Sequence, residues 1–179
     1  MTEPDSVRFE SAPSVTPIYL VCDESLSMTR GSIETLNYRI SEWFDEFTAD
    51  PILDERVRVG IVAFSDTARV VLPLTEVSDV AQIPPLSVRG TTSYAAVFRF
   101  LRTLLETDIS KLRQDFQVLR PIIIVITDGQ PNYENWRDEV QKLFYSASAF
   151  RPRIFGFDVD QGGAFVPFLR MFGGLDNGD

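Results

Sequence analysis

Three short polar stretches of the sequence carry side-chain oxygens that could bind a metal ion. They are residues 23–27 (Asp-Glu-Ser-Leu-Ser), residues 90–93 (Gly-Thr-Thr-Ser) and residues 127–129 (Thr-Asp-Gly). Carboxylate and hydroxyl oxygens are hard ligands, which suit Mg²⁺, Mn²⁺ or Ca²⁺ better than softer metals. In the first stretch the aspartate and the two serines are spaced two residues apart, so they can face one side of an extended or turning segment. Together the stretches predict a site for one divalent cation.

A site of this composition would favour binding a further anion. Hydroxyl groups are neutral ligands, so an ion held by two carboxylates and several hydroxyls keeps a strong attraction for one more anionic oxygen. Each stretch also has a simpler interpretation. Ser25 and Ser27 could be turn and helix-capping residues, and Asp128 could belong to an ordinary turn after a strand. One residue among Thr91, Thr92 and Ser93 is expected to cap a helix.

Apolar runs and amphipathic segments alternate along the chain and predict the elements that would position these stretches. Such alternation is typical of a parallel sheet covered by helices. We therefore predict an α/β fold: a doubly wound, Rossmann-like, mostly parallel sheet with one antiparallel edge strand and helices on both faces. Strands are predicted at residues 18–22, 57–64, 68–74, 122–126 and 154–157, and helices around residues 33–47, 97–104, 136–147 and 165–172.

The predicted domain organisation is simple. Residues 1–15 are polar and contain two prolines, which indicates a flexible N-terminal tail, and residues 16–179 form one domain. In a doubly wound sheet, ligands bind beyond the C-terminal ends of the strands, where the winding reverses. If the strands beginning at Ile18 and Ile122 are neighbours, the three polar stretches converge on one crevice.

Composition limits the function classes. The net charge is −9, which argues against binding to nucleic acid or to an anionic membrane. The chain contains no histidine and a single cysteine, Cys22, so zinc sites built on Cys and His and His-dependent catalytic triads are excluded. One cysteine allows no intrachain disulfide, which favours a cytoplasmic location. Cys22 lies in an apolar run and is expected to be a core residue.

The order and spacing of the three stretches resemble the metal-ion-dependent adhesion site of von Willebrand factor A domains, over roughly residues 17–173. The resemblance implies that an acidic residue (Glu or Asp) of a partner protein completes the shell of a bound Mg²⁺, Mn²⁺ or Ca²⁺. Within the family, the stretches at residues 59–65 and 127–131 look most like bacterial cytoplasmic members associated with tellurium resistance and stress. The implied ligands are the hydroxyls of Ser25, Ser27 and Thr91, and the carboxylates of Asp23 and Asp128, which would bind directly or through water.

Two positions depart from the family pattern. The residue after Ser25 is often glycine and is Leu26 in this chain, and the residue three after the metal-binding threonine is often glycine and is Tyr94. Both are expected to shape the rim of the site. Leu26 and Met28 are apolar residues beside a polar loop, which fits either a protein contact or local packing.

The leading prediction is a metal-dependent protein-binding module without enzymatic activity. The alternative is a Mg²⁺-dependent phosphohydrolase or phosphotransferase with Asp23 as the nucleophile. Against the alternative, related phosphatases carry a second aspartate where this chain has Ser25, no histidine is present as a general base, and no lysine stands out to stabilise a transferred phosphate. A third possibility is a metal-free scaffold whose site is vestigial.

Overall fold

The computed structural model describes residues 12–28, 30–128, 135–145, 151–159 and 165–167. Within these ranges strands and helices alternate along most of the chain. The strands are β1 (Ser14–Asp23), β2 (Val57–Phe64), β3 (Ala68–Thr75), β4 (Gln117–Val118), β5 (Ile122–Thr127), β6 (Arg153–Asp158) and β7 (Phe165–Pro167), and the helices are α1 (Arg30–Thr48), α2 (Pro51–Arg56), α3 (Tyr94–Leu112) and α4 (Trp136–Tyr145).

The strands form one mixed sheet in the order β3-β2-β1-β5-β6-β7, and β4 pairs with the start of β1. The four central strands, β2, β1, β5 and β6, are parallel to one another. β3 is antiparallel to β2, and β7 is antiparallel to β6. From β1 the chain winds outward to β2, and it later returns to the other side of β1 to form β5. The winding therefore reverses between β1 and β5.

Helices cover both faces of the sheet, and the side chains of β5 show how. Ile123 and Val125 belong to the apolar core that contains α3 and α4. Ile124 and Ile126 belong to the core that contains α1. Successive side chains of a strand point to opposite faces, so a strand buried on both faces needs an unbroken apolar sequence. This requirement explains the run of isoleucine and valine in β5.

The fold-class prediction is confirmed: the sheet is mostly parallel, β3 forms the antiparallel edge, and helices lie on both faces. Three elements were not predicted, namely α2, β4 and β7. The predicted tail of residues 1–15 lies mostly outside the described residues, although its last two residues, Ser14 and Val15, belong to β1 and pair with β4. The boundary between tail and domain stays a prediction.

The predicted helix at residues 165–172 is wrong for its first three residues. Phe165–Pro167 forms β7, whose last residue pairs with Phe155 of β6. The aromatic spacing that indicated a helix competes there with the unpaired backbone of β6, which a short antiparallel strand can satisfy. Proline has no backbone N–H and is tolerated at the edge of a sheet. Residues 168–172 of the prediction lie outside the described residues.

Pro51 is the first residue of α2. The carboxylate of Asp50 accepts hydrogen bonds from the backbone N–H groups of Ile52, at 2.9 Å, and Leu53, at 3.4 Å. An aspartate N-cap followed by proline at the first helical position is a favourable helix start, because proline lacks an N–H that would be unsatisfied there. Among the described residues, no helix is both long enough and apolar enough to cross a membrane.

Candidate metal-binding site

The candidate site lies where β1 and β5 end side by side. The two strands are parallel neighbours in register, with Cys22 opposite Ile126. Asp23 is the last residue of β1, and Asp128 follows directly after β5. Both aspartates therefore lie at one edge of the sheet, at the point where the winding reverses, which is where ligands bind in open α/β sheets. The sequence analysis required these two strands to be neighbours for the polar stretches to converge, and they are neighbours.

A chain of hydrogen bonds joins three of the predicted ligands. The hydroxyl oxygens of Ser25 and Ser27 are 2.9 Å apart, and the Ser27 hydroxyl donates to Oδ1 of Asp128 at 2.9 Å. A serine hydroxyl has one hydrogen, so Ser27 cannot also donate to Ser25. The direction is thus fixed: Ser25 donates to Ser27, and Ser27 donates to Asp128. Each hydroxyl oxygen keeps lone-pair capacity for a cation.

Asp23 lies beneath these groups and is fully buried, with 0% of its surface exposed. Its Oδ1 accepts a hydrogen bond from the backbone N–H of Ser25 at 2.8 Å, and its Oδ2 accepts one from the Thr127 hydroxyl at 2.7 Å. The hydroxyl of buried Tyr94 in turn donates to Thr127 at 2.9 Å. A buried carboxylate is costly unless it is hydrogen-bonded, and these donors hold Asp23 in a fixed orientation.

Thr91 stands apart from the hydrogen-bond chain of Ser25, Ser27 and Asp128. Its hydroxyl and its backbone N–H, the latter at 2.9 Å, both donate to Oδ1 of Asp66. These hydrogen bonds, above all the one from the hydroxyl, lower the pKa of the Asp66 carboxyl. The loop of Thr91 still borders the site, because Gly90 accepts a hydrogen bond at 3.0 Å from the backbone N–H of Leu26, which lies between the two serines.

Gly90 adopts φ +61°, a left-handed conformation that favours glycine. A Cβ atom at this position would lie 2.3 Å from Oδ2 of Asp66. Glycine is therefore required here twice, once for its backbone conformation and once for the close approach of Asp66. Both requirements fix the loop that carries Thr91.

Glu24 is an acidic side chain buried next to the site, with 1% of its surface exposed. Its Oε1 accepts hydrogen bonds from Nη2 of Arg69 at 2.7 Å and from the backbone N–H of Ser87 at 3.0 Å, and its Oε2 is 3.3 Å from Nε of Arg89. Its backbone carbonyl accepts from the N–H of Arg89 at 2.6 Å. Glu24 thus ties the loop of residues 84–93 and the edge strand β3 to the end of β1.

The sequence did not single out Glu24 or Asp66 as contributors to the site. Glu24 had one available signal: it alternates with Asp23 and Ser25 and so must point to the opposite side of the chain. No sequence signal identifies its arginine partners, because the contact depends on how β3 and the following loop pack. Asp66 lies in the turn between β2 and β3, and its contact with Thr91 joins residues 25 positions apart.

Four further observations concern single side chains, two of which were predicted: the helix cap and Cys22. Ser93 is the N-cap of α3 and accepts from the N–H of Ala96 at 3.2 Å, so one of the three hydroxyl residues does cap a helix. Cys22 is a fully buried core residue, and burial, followed by the charges of Glu24 and Asp23, raises the pKa of its thiol well above the usual value. Trp136 is buried in the core that contains α3 and α4, and Trp43 is partly buried against the separate core that contains α1.

The rim differs from the prediction at one position. Leu26 is 71% exposed beside the candidate ligands, whereas Met28 is 1% exposed and packs in the core with α1. Tyr94 was expected at the rim, but it is fully buried under the site, where its hydroxyl reaches Thr127. The aromatic ring is long enough to fill space below the sheet edge, in contact with Phe64 and Trp136.

The donor set fits a hard divalent cation. Carboxylate and hydroxyl oxygens suit Mg²⁺, which keeps several waters in its shell and needs few protein carboxylates. Among the described residues, no group of three or more His, Cys, Asp or Glu side chains is arranged to hold a metal. Any ion at the ends of β1 and β5 would therefore depend on the hydroxyl oxygens of Ser25 and Ser27 together with the two aspartates.

Comparison with known proteins identifies the family. The family model for the von Willebrand factor type A domain matches residues 18–171, which is most of the chain. The chain belongs to the von Willebrand factor type A family. No curated protein sequence is similar enough to be counted as a relative. As a von Willebrand factor type A domain, the chain is a member of a family that often depends on metal and mediates protein interactions.

Solved structures share the fold at low sequence identity. The pilus adhesin SpaC from Lactobacillus rhamnosus GG matches with a TM-score of 0.52 and 19% identity, over 68% of this chain and 16% of SpaC. BatB from Bacteroides thetaiotaomicron matches with a TM-score of 0.52 and 19% identity, over 80% of this chain and 66% of BatB. An aerotolerance-related membrane protein from Bacteroides fragilis matches with a TM-score of 0.50 and 16% identity, over 88% and 84%.

These likenesses concern the fold alone. The chain spans less than two thirds of the length of the first solved structures that it resembles. The activities of those longer proteins do not transfer with the shared domain.

Proposed function

We propose that this von Willebrand factor A domain is a metal-dependent protein-binding module that engages an acidic residue of a partner protein. The observation that carries the proposal is the directed hydrogen-bond chain from Ser25 through Ser27 to Asp128. This chain joins hydroxyls from one strand end to a carboxylate from the neighbouring strand end. Such a cluster of hard oxygens, at the point where the winding of the sheet reverses, is suited to one divalent cation.

In this proposal five side chains hold Mg²⁺, with Mn²⁺ or Ca²⁺ as substitutes. A bound cation supplies a positive centre that attracts an anionic oxygen of the partner. Asp23 contributes a carboxylate, directly or through water, whose orientation Thr127 fixes, and the serine hydroxyl oxygens keep lone pairs that the hydrogen-bond chain does not use. Because the hydroxyls add no negative charge, the site keeps affinity for a Glu or Asp of the partner. The five are Asp23, Ser25, Ser27, Thr91 and Asp128.

The geometry gives no support to the alternative phosphotransfer chemistry. A nucleophilic Asp23 would need an oxygen open to the phosphorus atom. Instead the residue is fully buried, and both of its carboxylate oxygens accept hydrogen bonds, one from the Ser25 N–H and one from Thr127. A metal ion can still bind this carboxylate through a bridging water, whereas a nucleophile must contact the phosphorus atom itself. Binding without turnover is therefore the function that we propose.

The cellular location and pathway that we propose for the module rest on composition and on the family resemblance alone. The net charge of −9 disfavours nucleic acid and anionic membranes as partners. The single cysteine favours a cytoplasmic location, and the resemblance to tellurium-resistance proteins favours a bacterial stress-response system. Deleting the gene should then increase sensitivity to tellurite, and unchanged sensitivity would contradict this setting without touching the binding proposal.

The test is affinity capture on the immobilised chain, from cells that produce it, with Mg²⁺ present and then with chelator. We expect a partner that is retained in Mg²⁺, released by chelator, and lost when Ser27→Ala replaces the wild type. The matched control is Ser41→Ala, which removes an exposed hydroxyl on α1 that bonds only to Asn37 in the part of the chain that is described. A partner that is still retained in chelator and still binds the Ser27→Ala variant would overturn the proposal.

A further inference from the structure

The surface beside the candidate site combines an exposed apolar side chain with positive charge. Leu26 lies between the two candidate serine ligands, and 71% of its surface is exposed, the highest value among the exposed large hydrophobic residues of the described chain. Its backbone N–H is bonded to the carbonyl of Gly90, which fixes it against the loop that carries Arg89. An exposed leucine on a loop held this rigidly offers a ready-made apolar contact.

The positive charge comes from two arginines that share one buried carboxylate. Arg69 and Arg89 both pair with Glu24, so three charged groups leave one surplus positive charge. The guanidinium groups remain accessible, because the side chains of Arg69 and Arg89 are 38% and 51% exposed. Arg89 is the closer to the site along the chain, two residues before Thr91.

The surplus positive charge of the Arg69–Glu24–Arg89 cluster is opposite in sign to the net charge of the whole protein, and the exposed carboxylate of Asp66, which bonds to Thr91, balances part of it. With a net charge of −9, the domain as a whole repels an acidic partner. The exposed guanidinium of Arg89 offsets that repulsion locally and can set the orientation of a segment that carries more than one carboxylate. Electrostatic complementarity of this kind contributes specificity more than raw affinity.

We propose that the partner segment carries two features beside the carboxylate that reaches the metal: a large apolar side chain that packs on Leu26, and a second acidic side chain that pairs with Arg89. This inference rests on the proposed function and names the class of protein segment that the site selects. It also assigns Leu26, which stands where the family often has glycine, and Arg89 as specificity-determining residues.

The test uses a library of short random peptides displayed on phage, selected on the immobilised chain in Mg²⁺ and eluted with chelator. We expect eluted peptides to share one acidic residue, with a large apolar residue and a second acidic residue within a few positions. Selection on Leu26→Ser should remove the apolar preference alone, and selection on Arg89→Gln should remove the preference for the second acid alone.

Affinities of a selected peptide give the magnitudes. Leu26→Ser should weaken binding about 10-fold, as expected for a leucine that becomes buried on binding. Arg89→Gln should weaken it about 2- to 5-fold, as expected for an exposed ion pair, and the loss should disappear with a peptide that lacks the second acid. The matched controls are Leu119→Ser, an exposed leucine near the start of β1, and Arg39→Gln on α1, which should change neither preference.

The outcomes separate this inference from the proposed function. If peptides elute with chelator but show the same preferences on wild type, Leu26→Ser and Arg89→Gln, the rim assignment is wrong and metal-dependent binding stands. If no peptide elutes with chelator, the proposed function fails and the rim assignment fails with it. Mn²⁺ titration of each variant verifies that the metal site is intact. If Arg89→Gln does not fold, the apolar preference measured on Leu26→Ser still tests the inference.

Discussion

Replacing Thr127 by valine tests whether the buried hydrogen bonds beneath the site fix the orientation of Asp23. Valine keeps the branched shape that suits β5, so the change removes the hydroxyl with little loss of packing. Both Thr127 and Asp23 are fully buried, and the hydroxyl donates to the carboxylate at 2.7 Å. The variant therefore leaves a buried carboxylate with one donor fewer.

The expected magnitude follows from these contacts. A hydrogen bond to a charged group contributes about 1.5–3 kcal/mol, so Thr127→Val should lower the free energy of unfolding of the metal-free protein by about that amount. Groups that orient a metal ligand typically affect metal affinity by about 10- to 100-fold, and we expect a loss in this range. Urea unfolding in chelator measures the first quantity, and calorimetric titration with Mn²⁺ measures the second.

Tyr94→Phe is the matched control, because it removes only the outer hydrogen bond of the same relay. Tyr94 donates to Thr127 at 2.9 Å and does not itself contact Asp23 through that bond. The variant should lose about 0.5–1.5 kcal/mol of stability and keep most of its metal affinity. Mn²⁺ affinity unchanged in Thr127→Val, or lowered equally in both variants, would refute the reasoning that Thr127 orients a metal ligand.

Further predictions concern the ligands, the glycine turn and pH. Ser27→Ala and Thr91→Ala should each weaken Mn²⁺ binding and leave the far-ultraviolet circular dichroism unchanged. Thr91→Ala should also lower the unfolding midpoint in chelator slightly, because the hydroxyl that bonds to Asp66 is lost. Global unfolding of either variant would show a structural cap. Gly90→Ala should lower the free energy of unfolding by about 1–2 kcal/mol, because a side chain at φ +61° is strained, and equal stability in urea would contradict this. The hydrogen bond from the backbone N–H of Ser78 lowers the pKa of Asp54 below its ordinary value, so Asp54→Asn should destabilise the protein at neutral pH. The difference in stability from wild type should shrink as pH falls through the folded-state pKa, and a difference independent of pH would contradict the assignment.

The sequence predicts the central fold well because burial leaves a strong pattern. The side chains of β5 pack into an apolar core on each face of the sheet, so its residues form an unbroken apolar run that is visible in the sequence. The short elements leave no such pattern. β4 has two residues and β7 has three, and each exists because a longer strand offers backbone partners that local sequence does not reveal.

For the candidate site too, some features could be predicted from the sequence and others could not. The spacing of Asp23, Ser25 and Ser27 and the position of Asp128 after an apolar strand are sequence features, and parallel pairing of β1 with β5 brings their loops together. The supporting contacts are not sequence features. Glu24 bonds to Arg69, 45 residues away, and which residues meet depends on how β3 and the loop before α3 pack.

The most direct test of the central claim is a calorimetric titration of the protein with Mn²⁺, in parallel for wild type, Asp23→Asn and the exposed control Asp45→Asn on α1. The account predicts one ion bound per wild-type chain, competition by Mg²⁺, loss of binding in Asp23→Asn, and wild-type behaviour in Asp45→Asn. Absence of binding at millimolar Mn²⁺, or binding that survives Asp23→Asn, would contradict it.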